Sequence, residues 1–181
     1  MTLASKMTKR SAFRRWLLAV FNWVQGSPLT PISIRLLGLR LAGMRIGDAC
    51  HIFEHVYFGG NPRRVVFGNN VFINVGCKID AAGMVIVEDN VYAAMDVNIL
   101  TSTHEVGLSS CRAGIGYTDP VIIKRGCWLC SNALILPGVV VERGCIIAAG
   151  AVVRENTKPD GLYAGVPAQR VKELPCEWEP H

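Results

Sequence analysis

The stretch Pro120–Val153, "PVIIKRGCWLCSNALILPGVVVERGCIIAAGAVV", places an aliphatic residue at every sixth position: Ile123, Leu129, Ile135, Val141, Ile147 and Val153. A period of six fits neither the 3.6-residue turn of an α-helix nor the two-residue alternation of a hairpin strand. It fits short strands joined by tight turns, three strands to a coil, each strand sending one large side chain inward. Upstream the same spacing recurs in three blocks, Ile46–Ile52–Phe58, Phe67–Ile73–Ile79 and Val87–Ala93–Ile99, with the frame reset between them.

The position four residues beyond each large one is small or modest: Cys50, Val56, Val71, Cys77, Gly83, Val91, Val97, Thr103, Cys127, Ala133, Val139, Cys145, Ala151 and Thr157. Turn-formers (Gly47-Asp48, Gly68-Asn69-Asn70, Glu88-Asp89-Asn90, Arg125-Gly126) fall between strands, at the corners. The pattern predicts an all-β solenoid whose coils stack at the ~4.8 Å spacing of paired strands. It also accounts for the cysteines. "CWLC" has the spacing of a redox or zinc CxxC, but Cys50, Cys77, Cys127 and Cys145 all occupy the small inward slot and Cys130 sits beside the large one. They read as buried thiols serving as small hydrophobes. Seven cysteines, an odd number, argue against a disulfide framework and for a reducing, cytoplasmic setting.

The chain's 181 residues suit one domain with a real core, and only 18% are charged. Its net charge of +5 is unevenly placed: residues 1–45 hold eight basic residues and no acidic one, and the first acid is Asp48. The rest of the chain is slightly acidic. Residues 1–45 therefore form a basic segment, 46–158 the solenoid with a protruding loop over 105–122, and 159–181 a tail. The apolar run Trp16–Phe21 is too short to span a bilayer, and no small-x-small cleavage site follows it. Residues 8–24 read as an amphipathic helix and 31–42 as a second apolar-basic segment. Both either pack on the solenoid or give peripheral contact with an anionic membrane face. The basic residues lack the interleaved aromatics of a nucleic-acid surface.

The motifs "ILTSTHEV", "PVIIKRGCWLCSNALILPGVVVERGCIIAAGAVV" and "YAGVPAQRV", in that order and spacing, resemble the hexapeptide-repeat acyltransferases. The closest branch is the galactoside, maltose and capsular-sugar O-acetyltransferases, and the resemblance covers residues 45–175. It implies a left-handed parallel β-helix, acetyl-CoA as acyl donor, a sugar or polysaccharide precursor as acceptor, and a homotrimer whose groove lies between subunits. It implies His104, which ends the strand before the loop, as catalytic base, and Asn74 near the acceptor. It places the cofactor against Trp128, Ser131 and Ala149, with the tail loop holding the coenzyme A phosphates. Where the family commonly has Thr-Lys this chain has Arg154-Glu155, and Gln169 replaces a basic residue, so Arg154, Arg170 and Lys172 are the candidate phosphate contacts. Positions that contact galactosides in the closest branch are Ala82 and Gly60 here.

The chemistry suits these residue types. A hydroxyl attacks a thioester poorly at neutral pH until a base accepts its proton, and histidine titrates in the right range. Asn74 is either an orienting amide or a corner residue, and Trp128 either a groove wall or an oligomer contact. No serine or cysteine nucleophile is needed for direct transfer. We expect the second ring nitrogen of His104 to be fixed by a backbone carbonyl or by Glu105. The fold class also hosts zinc lyases of the γ-carbonic-anhydrase kind, for which His51, His55 and His104 are the available histidines, though their repeat positions should not converge. A non-catalytic trimeric scaffold is the third alternative.

Overall fold

A computed structural model of the chain describes residues 9–176. Two helices, α1 (Lys9–Gly26) and α2 (Ile32–Leu41), precede five coils of a three-sided parallel solenoid. The coils comprise β1 (Arg45–Ile46), β2 (His51–Ile52), β3 (Tyr57–Gly60); β4 (Val65–Phe67), β5 (Phe72–Ile73), β6 (Lys78–Ala81); and β7 (Val85–Val87), β8 (Tyr92–Ala93), β9 (Asn98–Ile99). A two-stranded hairpin, β10 (Ser102–Val106) and β11 (Ala113–Thr118), then leaves the body. The coils resume with β12 (Val121–Ile123), β13 (Trp128–Leu129), β14 (Leu134–Ile135) and β15 (Val140–Val141), β16 (Ile146–Ile147), β17 (Val152–Val153). β18 (Gly161–Ala164) adds a sixth parallel strand to the second face, and β19 (Gln169–Glu173) folds back on it antiparallel. The first face stacks β1-β4-β7-β12-β15, the second β2-β5-β8-β13-β16-β18 and the third β3-β6-β9-β14-β17.

The period of six is realised as one core. Fourteen of the fifteen large positions are buried, and Ile46, on the first coil, packs partly exposed against that core. Each fully buried aliphatic side chain contributes roughly 1.5–3 kcal/mol of hydrophobic stabilisation. The corners work through left-handed residues. Asn70, Asn90 and Asn132 have φ of 54°, 58° and 61°, a region that asparagine tolerates better than most non-glycine residues. The Asn70 amide donates to Oδ1 of Asn90 at 2.8 Å, tying one coil's corner to the next.

Two expectations need correction. Thr103 does not fill the small inward slot: the chain leaves the solenoid earlier, Thr101 takes the buried place, and Thr103 lies half-buried in β10. The excursion is therefore not an irregular loop over 105–122. It is the β10–β11 hairpin, spanning 102–118, and residues 121–123 are already back in the first face. Antiparallel pairing supplies partners for a protruding backbone that the coils cannot serve.

The helices close the open end of the solenoid. Among the described residues no earlier coil pairs with β1–β3, and side chains take that role. Asn22 imitates a neighbouring strand: its Nδ2 donates to Phe58 O at 2.9 Å while its Oδ1 accepts from Phe58 N at 2.8 Å. Gln25 donates to Val56 O. Arg35, 2% exposed, donates to the carbonyls of Ile52 and Ser27 (both 2.8 Å), Thr30 (3.1 Å) and Gln25. Its burial lowers the guanidinium pKa, against the opposing charge of Glu54. α1 runs over 9–26 and α2 over 32–41, close to the segments expected at 8–24 and 31–42, with residue 8 outside the described residues.

Candidate active site

His104 stands in β10, within the hairpin rather than at the end of a solenoid strand, and its side chain is solvent-exposed. It pairs with Gly116 across the hairpin, and Nε2 lies 3.4 Å from where a Cβ on that glycine would stand. The expected hydrogen bond from the ring to a carbonyl or to Glu105 is absent: among the described residues the imidazole has no hydrogen-bond partner in its own chain.

The root of the hairpin is fixed by a residue the sequence reading missed, Asp80 at the third face. Its Oδ2 accepts from Ser102 N (2.9 Å), Thr101 N (3.2 Å), Thr101 Oγ1 (3.3 Å) and Ser102 Oγ, and its Oδ1 from Ala82 N (3.0 Å). Partial burial alone would raise the carboxyl pKa. The Ser102 hydroxyl and the amides of Ala82, Thr101 and Ser102 more than offset that, and the net shift is downward. A signal was available: Asp80 follows the large inward Ile79, and the strand register carries it to Leu100, immediately before Thr101 and Ser102.

Asn74 sits at the corner between the second and third faces, half-buried, its Oδ1 accepting from Val75 N at 2.8 Å. His104 leaves from the corner between the third and first faces. The width of the third face separates those corners, up to ~20 Å for a six-residue repeat. Within one chain the two residues are not brought together.

The expected cofactor positions fall into two groups. Trp128 projects outward from the second face, 51% exposed, above Ile146. Ser131 and Ala149 follow at the next corner on adjacent coils, where Gly150 N donates to Ser131 O at 3.0 Å. These three share one side of the solenoid. Beside Trp128 an open pocket of about 750 Å³ takes in Arg125, Arg143 and Asp160. These two arginines were not anticipated; Arg143 pairs with Asp160 at 3.1 Å. Arg154 stands at the corner from which the hairpin departs, ion-paired with Glu155 at 3.3 Å in an exposed setting. Arg170 donates to the carbonyls of Pro159 and Asp160, both at 3.1 Å, and pairs with Glu173. That guanidinium is largely committed to holding the tail, whereas Lys172 is exposed on β19.

Gly60 and Ala82 leave no galactoside-contacting side chain of the expected kind. Gly60 has φ +79°, and a Cβ there would meet the Ala81 carbonyl at 2.6 Å, so serine does not fit without a backbone shift. The three histidines of the lyase alternative are dispersed. His51 lies on the second face with its ring centroid 6.4 Å from that of Phe72, His55 forms a corner at φ 56°, and His104 is on the hairpin. Cys127 and Cys145 are buried and Cys130 half-buried, all free thiols. The adjacent Cys145 sulfur and burial push the Cys127 thiol upward.

Comparison with known proteins agrees with this architecture. Residues 120–155 match the family described as bacterial transferase hexapeptide (six repeats). The galactoside O-acetyltransferase of Escherichia coli K12 is 29% identical over 129 residues, 71% of this chain and 63% of that one. That of Lactococcus lactis is 29% identical over 130 residues, 71% of this chain and 62% of the relative. The chain thus spans somewhat less than two thirds of the length of these curated relatives. A hexapeptide-repeat acetyltransferase of Vibrio cholerae, solved with acetyl coenzyme A, superposes with a TM-score of 0.82 at 20% identity, covering 95% of this chain and 93% of that one. A galactoside acetyltransferase bound to coenzyme A gives 0.81 at 24%, over 94% and 86%. The hexapeptide repeat, and with it the left-handed parallel β-helix of the hexapeptide-repeat acetyltransferases, are both present in this chain.

Proposed function

We propose that the chain is an acetyl-CoA-dependent O-acetyltransferase acting on a hydroxyl of a sugar or polysaccharide precursor. The observation that carries this reading is the placement of His104: an accessible imidazole, unpartnered among the described residues, on a hairpin whose root is clamped by Asp80. The relatives named as galactoside O-acetyltransferases and the neighbours holding acetyl coenzyme A or coenzyme A support the donor and the reaction class.

His104 accepts the proton of the acceptor hydroxyl as its oxygen attacks the thioester carbonyl. The tetrahedral intermediate's oxyanion takes hydrogen bonds from backbone amides. Collapse breaks the C–S bond, and His104 returns the proton to the departing thiolate, leaving an O-acetyl ester and coenzyme A. Asn74 orients the acceptor hydroxyl. Trp128, Ser131 and Ala149 line the donor groove, and Arg154, Arg170 and Lys172 are the phosphate contacts, Arg170 with the least free guanidinium because it also holds the tail. Because Asn74 and His104 occupy different corners of one chain, the site is completed by a second copy, in a homotrimer. The blocked Gly60 position points to an acceptor other than a galactoside. A cytoplasmic location suits this donor and the odd cysteine count.

Titration calorimetry with acetyl-CoA and coenzyme A, comparing wild type with Trp128→Ala, tests the reading without knowledge of the acceptor. Micromolar binding weakened by the substitution is expected. A folded protein that binds neither ligand overturns it.

A further inference from the structure

The helical cap buries one side and leaves the other apolar side in water. Trp16, Val20 and Trp23 recur at helical spacing on α1, and Ile34, Leu37 and Leu41 on α2. All six are exposed, Trp23 to 78% and Leu41 to 80%. Scattered exposed apolar residues need no explanation, but two stripes on neighbouring packed helices do. The inward side is fully occupied by Arg35, Leu39 and the side-chain amides that pair with β3, so neither helix can turn its stripe into the core.

Charge identifies what covers it. Residues 1–45 hold eight basic residues and no acid. Arg35 is consumed inside and Arg40 donates to the Ile46 and Gly47 carbonyls, which leaves six further basic residues with no acidic residue among them. A second copy's cap would bring two such segments together and set like charges against each other. A surface that is both apolar and anionic satisfies both properties, and tryptophan favours the boundary between acyl chains and headgroups. No described helix is long and apolar enough to cross a membrane. We infer that the α1–α2 cap docks on an anionic phospholipid surface, lying in the interface with its two stripes inserted. The solenoid's first coil then faces the membrane, and the hairpin bearing His104 stands three coils away from it. The inference goes beyond the transferase reading and does not depend on it.

Sedimentation of the full chain with phosphatidylcholine vesicles containing roughly a third phosphatidylglycerol, against pure phosphatidylcholine, tests this. The wild type is expected to sediment with the anionic vesicles, and to be released by high salt. Trp23→Glu and Leu37→Glu, both at exposed positions and with thermal melts matching wild type, are each expected to lower the bound fraction about tenfold. Equal binding to both vesicle types overturns the anionic assignment. Absence of vesicle binding overturns the proposal. So does concentration-dependent association that either glutamate variant disperses, which assigns the face to a second copy.

Discussion

Replacing Asp80 with alanine separates the clamp at the hairpin root from the rest of the fold. The carboxylate receives three backbone amides and two hydroxyls, but their fates differ once it is gone. Thr101 is fully buried, so its amide is orphaned at a cost of about 1–3 kcal/mol; its hydroxyl keeps its bond to the Asp80 carbonyl at 2.7 Å. Ser102 is exposed, so its amide and hydroxyl turn to water and lose only the net value of each bond, about 0.5–1.5 kcal/mol. Together these give a destabilisation of about 2–6 kcal/mol, with Asp80→Asn intermediate because one acceptor oxygen survives. Urea unfolding at fixed protein concentration measures it. The sign with pH is also determined. The carboxyl pKa is lowered in the folded state, so its stabilisation is complete above the unfolded value of ~3.9 and is lost as pH falls through the folded one. Asp80→Asn should flatten the decline of stability below about pH 4. A loss under ~0.5 kcal/mol for Asp80→Ala, with an unchanged acid limb, would refute the clamp.

Arg35→Met should cost about 3–5 kcal/mol, because it removes the one side chain that serves four carbonyls at the junction of both helices and the first coil. Protease sensitivity confined to residues 9–41 would locate the damage. Ile135→Ala, in the middle of the third face at 0% exposure, should cost about 2–5 kcal/mol by urea unfolding. A change under ~1 kcal/mol there would contradict the assigned inward register.

The coils were legible because the signal is redundant: one large inward side chain per six residues, repeated fifteen times, cannot be satisfied by a helix or a hairpin. The hairpin's limits were not. Ser102–Val106 and Ala113–Thr118 have no buried face, so no hydrophobic period marks where the chain leaves and rejoins the solenoid. Arg35 reads as one more cation of a basic segment, and only the tertiary arrangement reveals that four carbonyls neutralise its burial. The candidate site was visible residue by residue, yet its geometry was not. Sequence placed His104 and Asn74 but did not show that one chain holds them at different corners, nor that Arg170 is tied to the tail's carbonyls. Asp80 escaped because Thr101 and Ser102, which it clamps, are a full coil away in sequence.

Coenzyme A release from acetyl-CoA with an accepted sugar, comparing wild type with His104→Ala, decides whether His104 is the base of an acetyl transfer. A loss of roughly 10²–10⁴ in kcat is expected, with acetyl-CoA affinity unchanged by calorimetry. A His104→Ala protein that turns over at the wild-type rate would contradict it.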